Sequence, residues 1–171
     1  MEKIKIKEIT IRPIKSNEIM LLTDFLYEAI FKKPGEVYKR TIIQKPEIWQ
    51  YVDEFGIYPH DYAFVGEIDG IVVGAIWARK IKGYGYVDDA TPEIAMSVYP
   101  EYQKIGIGRK LLSEMISFLK DKGYTQVSLS VQKANYASKM YLELGFKVFS
   151  ENDEDYIMIN TLQSNWDFAI Y

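Results

Sequence analysis

The chain of 171 residues contains no cysteine. This absence excludes thiolate nucleophiles, disulfide frameworks and most zinc sites, because each of them depends on cysteine sulfur. A covalent intermediate would therefore need another nucleophile. A chain of this length with 48% hydrophobic residues can bury one sizeable core without disulfides or metals. We expect one domain over residues 1–171, because no repeat, low-complexity tract or break in composition marks a second one.

The sequence also lacks a strong excess of charge, with 21 basic residues, 24 acidic residues and a formal net charge of −3. The two signs are mixed along the whole length, so there is no basic stripe of the kind that binds a nucleic-acid backbone. No apolar run approaches the length of a membrane span, and residues 1–8 alternate charged and apolar side chains instead of presenting a signal core. These observations predict a soluble, cytoplasmic protein with no nucleic-acid or membrane partner.

The spacing of the apolar residues predicts helices and strands in a mixed α/β order. Asp69-Gly70 separates two apolar, β-branched runs and is a strong hairpin signal. Ser16 is a candidate N-cap for a first helix, which residues 33–35 should end. Further helices are predicted at 45–54, 106–123 and 137–144, a loop at 82–92, and strands at 8–14, 62–68, 71–78, 93–98, 127–131, 146–148 and 156–159.

A short glycine-containing turn at 103–108 lies between a predicted strand and the best-defined predicted helix. Such a turn directs several unpaired backbone N–H groups to one spot, and a helix N-terminus adds about half a positive charge. Gly106 and Gly108 have no Cβ atom to keep a bulky pyrophosphate from the backbone. The Walker pattern fails because no Gly-Lys-Ser/Thr follows, and the Rossmann pattern fails because its third glycine is absent. The turn predicts an anion site of another kind.

Two ordered motifs resemble those of the GNAT N-acetyltransferase superfamily. Residues 98–112 resemble its Gln/Arg-x-x-Gly-x-Gly/Ala acetyl-CoA motif, and residues 135–146 resemble its Asn...Ala...Tyr-x-x-x-Gly-Phe block. The resemblance is detailed from about residue 92 to residue 146. It implies a mostly antiparallel sheet of six to seven strands with a splayed central pair, flanked by about four helices. It also implies acetyl-CoA as cosubstrate and no metal, with an acceptor side at 1–60 and the sheet and cofactor site at 61–160.

The resemblance also assigns the cofactor contacts residue by residue. The strand before the turn is expected to offer its backbone to the pantetheine arm like an added strand. Asn135 should both cap the last helix and contact pantetheine. The residues assigned to the cofactor are Met96, Val98, Gln103, Lys104, Ile105, Gly106, Ile107, Gly108, Arg109, Lys110 and Asn135.

Tyr141 aligns with the tyrosine that protonates the departing CoA thiolate in many GNAT enzymes. The alternative is a core aromatic with a satisfied hydroxyl, because Tyr141 shares an apolar helical face. A neutral amine must lose a proton during transfer, and Glu93 at the start of the central strand is the first candidate base. Asp88, Asp89 or water could replace it. His60, the only histidine, is interpreted as a solvent-facing turn residue.

These assignments predict direct transfer of acetyl from acetyl-CoA to a primary amine in a ternary complex, since no cysteine is present to carry the acyl group. The carboxylates at 88–93, close to Tyr84 and Tyr86, suggest a small cationic amine, although this loop could equally be a solvated turn. A peptide N-terminus is the alternative acceptor. A non-catalytic acyl-CoA sensor is the alternative class. The tail at 161–171 is aromatic from Trp166 onward and is a candidate homodimer element.

Overall fold

The computed structural model describes residues 7–162, which contain one seven-stranded sheet in the order β1-β2-β3-β4-β5-β7-β6. The predicted mixed α/β fold with a sheet of six to seven strands is confirmed. The strands are β1 (Ile9–Pro13), β2 (Tyr62–Ile68), β3 (Ile71–Arg79), β4 (Glu93–Val98), β5 (Gln126–Gln132), β6 (Lys147–Glu151) and β7 (Asp155–Thr161). The helices are α1 (Leu21–Ala29), α2 (Pro46–Trp49), α3 (Ile107–Asp121) and α4 (Ala137–Glu143).

The β2–β3 hairpin forms at the predicted dipeptide. Asp69 and Gly70 both have positive φ, at 51° and 78°, and Ile68 pairs with Ile71 on either side of them. A two-residue turn with both φ values positive matches the right-handed twist of the strands that it joins. The turn sets the register of β2 and β3 as far as Glu67, where an irregularity shifts the pairing, and β1 and β4 are added on either side of this hairpin.

The central strands β4 and β5 are the parallel pair of this sheet, and they separate soon after they meet. Glu93 opposite Ser128 is their one registered pair, and the Ser128 amide donates to the Pro92 carbonyl at 3.0 Å. On its other side β4 pairs with β3 over all six of its residues. The splayed central pair that the resemblance implies is thus present, and it opens immediately after Glu93.

Helices cover both faces of the sheet. The α3 side is a core of fully buried aliphatic side chains, among them Leu111, Leu112 and Met115. The α1 side is a second core that includes Phe25 and Trp77. Burying one such side chain contributes about 1.5–3 kcal/mol relative to leaving it in water. These two cores hold β4 in the middle of the molecule, so that its free edge faces the opening beside β5.

The start of the first helix differs from the prediction. Residues Ser16–Glu18 form a short 3-10 turn, and α1 begins only at Leu21. The Glu18 carboxylate accepts the Lys15 amide at 2.9 Å, which is the capping contact at this point, so the predicted role of Ser16 as N-cap is wrong. The helix ends at Ala29, before the predicted stop at 33–35.

The second predicted helix, 45–54, is also shorter in the structure. Its α-helical part is Pro46–Trp49, and turns follow. The buried guanidinium of Arg79 donates to the Gln50 and Asp53 carbonyls at 2.8 and 2.9 Å. These carbonyls therefore do not accept the amides of a further helical turn. The competing contact comes from β3, so local spacing could not reveal it.

Within residues 7–162, no helix is long and apolar enough to cross a membrane. The prediction that the aromatic tail beginning at Trp166 forms a dimer element lies outside the described residues.

Candidate active site

A cavity of about 370 Å³ lies where β4 and β5 diverge. Its wall includes four residues that the sequence motifs had singled out, namely Glu93, Met96, Asn135 and Tyr141. The volume is within the usual range of about 300–1,000 Å³ for small-molecule sites. The structure therefore brings the candidate base and the candidate acid, which are far apart in sequence, to one cavity.

The glycine turn beside this cavity has the geometry of an anion site. The Lys110 amide donates to the Gly106 carbonyl at 3.1 Å, which is the first backbone hydrogen bond of α3. The six amides from Lys104 to Arg109 donate to no backbone or side-chain acceptor among residues 7–162. Lys104 and Gly106 have φ of 63° and 96°, and left-handed residues of this kind help a turn to gather its N–H groups on one concave side. This arrangement can bind a pyrophosphate.

The basic side chains at this turn differ in whether an ion pair balances their charge. Arg109 forms an ion pair with Glu143, so part of its charge is already balanced. Lys104 and Lys110 form no ion pair with any residue in the described part of the chain. Both lysines are exposed, and they add positive potential to the turn.

Gly108 offers a way to test this site, because a side chain fits there without disturbing the fold. A Cβ atom at Gly108 would lie 3.6 Å from Met96 Cε, an ordinary contact. Gly108→Asp should therefore fold normally but place a carboxylate where the cofactor phosphates bind, and weaken acetyl-CoA binding by roughly tenfold or more. Calorimetric titration with acetyl-CoA measures the effect.

Gly108→Asn is the matched control, since it adds the same bulk without the charge. We expect its loss of affinity to be clearly smaller than that of Gly108→Asp. Equal binding by both variants and the unmodified protein would place the phosphates somewhere else.

The backbone of β4 is oriented toward the opening. The Tyr99 amide donates to the Val73 carbonyl on β3 at 2.9 Å. Along an antiparallel strand, successive residues direct their N–H and C=O groups alternately toward the partner strand and away from it. Met96 and Val98 therefore direct their N–H and C=O groups to the β5 side. Gln103 Nε2 already donates to the Val98 carbonyl at 2.9 Å. Of the groups that these two residues direct toward β5, the amide and carbonyl of Met96 and the amide of Val98 have no hydrogen-bond partner within residues 7–162.

Glu93 is the most perturbed carboxylate near the cavity. The residue is only 3% exposed, and the Tyr51 hydroxyl donates to its Oε2. Its Oε1 has no hydrogen-bond partner among residues 7–162. Burial raises the pKa of Glu93 to about 7, although the hydrogen bond from Tyr51 and, to a smaller extent, the nearby Gly85 backbone amide act in the opposite direction. A carboxyl group with this pKa can accept a proton near neutral pH.

Tyr51 is a site residue that the sequence analysis missed. Its hydroxyl accepts the Tyr84 amide at 2.9 Å while donating to Glu93. The side chain lies in the predicted helix 45–54, where it is one of several apolar and aromatic residues. Its partners are 33 and 42 residues away in sequence, and no local pattern distinguishes it from a residue that only packs.

Tyr141 lines the same cavity from α4. Its ring packs edge-on against Phe146 at 5.7 Å, so the residue does belong to the core. Its hydroxyl, however, has no hydrogen-bond partner among residues 7–162. Burial raises the pKa of Tyr141 to about 12, which keeps the hydroxyl protonated at neutral pH. The group can therefore act as a proton donor inside the cavity.

Asn135 has the capping role that the sequence predicts. Its Oδ1 accepts the amide of Ala137, the first residue of α4, at 2.9 Å. This contact leaves the side-chain NH₂ as the donor that remains for a ligand.

The acidic residues of the loop before β4 have structural partners instead of positions in the cavity wall. Asp88 Oδ1 accepts the Thr91 amide and hydroxyl at 2.8 and 2.7 Å, and it also accepts the Ala90 amide. Asp89 accepts the Tyr86 hydroxyl at 2.7 Å. Of the residues predicted to hold a cation, Glu93 and Tyr84 line the cavity, whereas Tyr86 and the two aspartates stabilise the loop. His60 does not face solvent as predicted, because it is half-buried and hydrogen-bonded to the Tyr124 hydroxyl, and it lies outside this cavity wall.

Comparison with known proteins identifies the family to which this chain belongs. Residues 24–146 match the model of the acetyltransferase (GNAT) family. The chain is 29% identical over 135 residues to the L-amino acid N-acyltransferase MnaT of Escherichia coli, a match that covers 68% of this chain and 74% of that protein. It is 34% identical over 87 residues to the probable N-acetyltransferase camello of Xenopus tropicalis. That second match covers 49% of this chain and only 37% of the frog protein.

Among solved structures, the yncA protein of Salmonella typhimurium, solved with its cofactor acetyl-CoA, has a similar fold. Its TM-score is 0.65 and its sequence identity 23%, over 91% of this chain and 94% of that one. Within residues 7–162, no group of three His, Asp or Glu side chains is arranged to hold a metal ion.

Proposed function

Because the chain belongs to the GNAT family of acetyltransferases, and is therefore an acetyl-CoA-dependent acyltransferase, we propose that it acetylates the primary amine of a small cationic acceptor by direct transfer. The observation that carries the proposal is the shared cavity, whose wall contains a carboxylate with a pKa near 7 and a tyrosine hydroxyl without a protein partner. These are the two proton-transferring groups that the reaction needs.

The cofactor contacts follow from the free backbone groups. The amides of Lys104 to Arg109 bind the pyrophosphate, and Lys104 and Lys110 add long-range attraction. The pantetheine arm pairs with Met96 and with the Val98 amide as an additional strand beside β4. Gln103 supports this edge indirectly, because it occupies the Val98 carbonyl. The Asn135 NH₂ group donates to pantetheine from the opposite side of the opening.

The reaction is a single displacement at the thioester carbonyl. The neutral amine forms a bond to the carbonyl carbon, and Glu93 accepts a proton from the nitrogen directly or through water. The tetrahedral intermediate then collapses, the carbon–sulfur bond breaks, and Tyr141 donates its proton to the departing thiolate. The chain contains no cysteine, which is consistent with transfer that forms no acyl-enzyme.

The lining of the cavity supports a cationic acceptor without a carboxylate. Glu93 and the half-buried Asp155 are its two charged residues, and no lysine or arginine within residues 7–162 contributes to this wall. The Tyr51 and Tyr84 rings and an aliphatic patch from α1 and α2 complete it. The E. coli relative is named for amino acid acceptors, whose carboxylate would here meet two carboxylates and no cation. We therefore favour amines with an apolar body over free amino acids.

The pKa of Glu93 leads to a prediction for pH dependence. Below about pH 7 the Glu93 carboxyl is protonated and cannot accept the amine proton, so loss of the base should add a further tenfold fall in kcat/KM per pH unit to the fall caused by protonation of the amine. With one amine used throughout, the rate profile should show an inflection near pH 7 in addition to the inflection caused by the amine itself. Measurement of kcat/KM between pH 5.5 and 9 tests this. A profile that follows only the amine ionisation would mean that Glu93 is not the base.

The function itself is tested in two steps. Thermal stability is first measured with and without acetyl-CoA, since a ligand that binds only the folded state raises Tm. CoA release is then followed with polyamines, arylalkylamines, amino acids, aminoglycosides and N-terminal peptides, and the acetylated product is identified by mass. We expect stabilisation together with CoA release for a cationic amine. Stabilisation without CoA release from any acceptor class would identify a non-catalytic acyl-CoA sensor.

A further inference from the structure

We infer that Tyr51 is a positioning residue for Glu93, and that its hydroxyl both orients the carboxylate and keeps it available as a base. The inference rests on the proposed function only in naming Glu93 as the base. The interaction between the two side chains is visible without any ligand, since the Tyr51 hydroxyl donates to Glu93 Oε2.

The contact is selective for one oxygen of the carboxylate. Oε2 is bound by Tyr51, whereas Oε1 has no hydrogen-bond partner among residues 7–162. A carboxylate that is fixed through one oxygen presents the lone pairs of the other in a constant direction. Tyr51 thus fixes the rotation of the carboxylate, with Oε1 buried beside Gly83 and Oε2 held by the Tyr51 hydroxyl.

Tyr51 is itself held from three directions. Its ring is buried and stacks on Tyr84, with centroids 6.4 Å apart and planes 16° from parallel. Its hydroxyl accepts the Tyr84 amide at 2.9 Å, and its backbone carbonyl accepts Trp77 Nε1 at 3.1 Å. Neither the ring nor the hydroxyl can therefore turn away from Glu93 without breaking other contacts. A residue that only fills space would not need its hydroxyl fixed in this way.

The loop after β3 is shaped around this pair. A Cβ atom at Gly83 would lie 2.7 Å from Glu93 Oε1 and would also collide with the Tyr51 hydroxyl. A Cβ atom at Gly85 would lie 2.7 Å from the Leu129 carbonyl carbon on β5. Glycine at these two positions lets the loop backbone close over the pair, which excludes bulk water and makes each remaining hydrogen bond stronger.

The other charged or titratable side chains around Glu93 form no hydrogen bond with its carboxylate within residues 7–162. Arg79 is its cross-strand neighbour on β3, but the guanidinium is paired with Asp61 at 2.9 Å. Tyr84, Tyr141 and Asp155 line the cavity from the loop, from α4 and from β7, and no hydrogen bond joins any of their side chains to Glu93 within the described chain. Tyr51 is the side chain that contacts the carboxylate directly.

The test replaces Tyr51 by Phe, which keeps the ring and removes the hydroxyl. The Glu93 pKa is measured by titrating ¹³C-carboxyl-labelled protein, with the Glu93 signal assigned by its absence in Glu93→Gln. Without the hydrogen bond the buried carboxylate is less stable, so the Glu93 pKa should rise by about one unit or more. The inflection in kcat/KM should move upward by the same amount, so that the loss of rate is larger at pH 7 than at pH 9.

Tyr84→Phe is the matched control, because it removes a hydroxyl from the same wall but retains the amide that contacts Tyr51. It should leave the Glu93 pKa unchanged. If Tyr51→Phe does not fold, Gly83→Ala, which pushes a methyl group between the two side chains, should raise the same pKa. A Tyr51→Phe protein that is folded and has the Glu93 pKa of the unmodified protein would overturn the inference. The titration needs no acceptor, so it remains decisive even if no amine is acetylated.

Discussion

Tyr141→Phe is expected to lower kcat by roughly 10²-fold or more, the usual size of a general acid–base contribution, while acetyl-CoA affinity changes little. The physical reason is the unusual state of this hydroxyl. It lines the cavity without a partner among residues 7–162, and burial raises its pKa to about 12, so it carries its proton throughout the working pH range. Phe keeps the edge-on contact with Phe146, so the core should be retained. Steady-state CoA release and calorimetric binding separate the two effects.

Tyr136→Phe is the control for this experiment. Tyr136 immediately precedes α4 and is 77% exposed, so loss of its hydroxyl tests the same chemical change outside the cavity. We expect full activity from it. A Tyr141→Phe enzyme with unchanged kcat would return Tyr141 to a purely packing role and leave the thiolate to be protonated by water.

Glu93→Gln is the second large change that we expect, with kcat/KM reduced by roughly 10²-fold or more at pH 8. Gln has the same shape and can still accept the Tyr51 hydroxyl, but it cannot take up a proton. The inflection near pH 7 should disappear from the rate profile together with the activity. The pH profile thus distinguishes loss of the base from general damage to the site.

Asp89→Asn is the corresponding control, since Asp89 was an alternative base on sequence grounds. Its carboxylate is exposed and bonded to Tyr86 outside the cavity wall, so its removal should leave both the rate and the profile unchanged. The reverse result, with Asp89→Asn inactive and Glu93→Gln active, would identify Asp89 in the loop as the base.

The parts of this site that could be predicted from sequence are local ones. The turn at 103–108 is a strand, a glycine pair and a helix in succession, and its anion-binding geometry follows from backbone groups alone. The hairpin at Asp69-Gly70 and the cap at Asn135 are equally local. In each case the interacting atoms lie within a few residues of one another, so spacing determines the geometry.

The parts that could not be predicted depend on contacts between distant segments. Glu93 acquires its raised pKa because Tyr51, 42 residues earlier, and the folded-back loop at Gly83 and Gly85 bury it, and the helix and strand pattern reveals neither contact. The same loop appeared to offer Asp88 and Asp89 to a ligand, but their carboxylates satisfy its own turns. Acidic residues near aromatic ones therefore did not by themselves locate the acceptor.

The claim on which all of these expectations depend is that donor and acceptor meet between β4 and β5. A crystal structure with bound CoA tests it most directly. We predict that the pyrophosphate lies within hydrogen-bonding distance of the amides from Lys104 to Arg109, that pantetheine pairs with Met96, and that the sulfur lies beside the Tyr141 hydroxyl. A structure in which CoA is bound elsewhere, or in which its sulfur is remote from both Tyr141 and Glu93, would contradict the account.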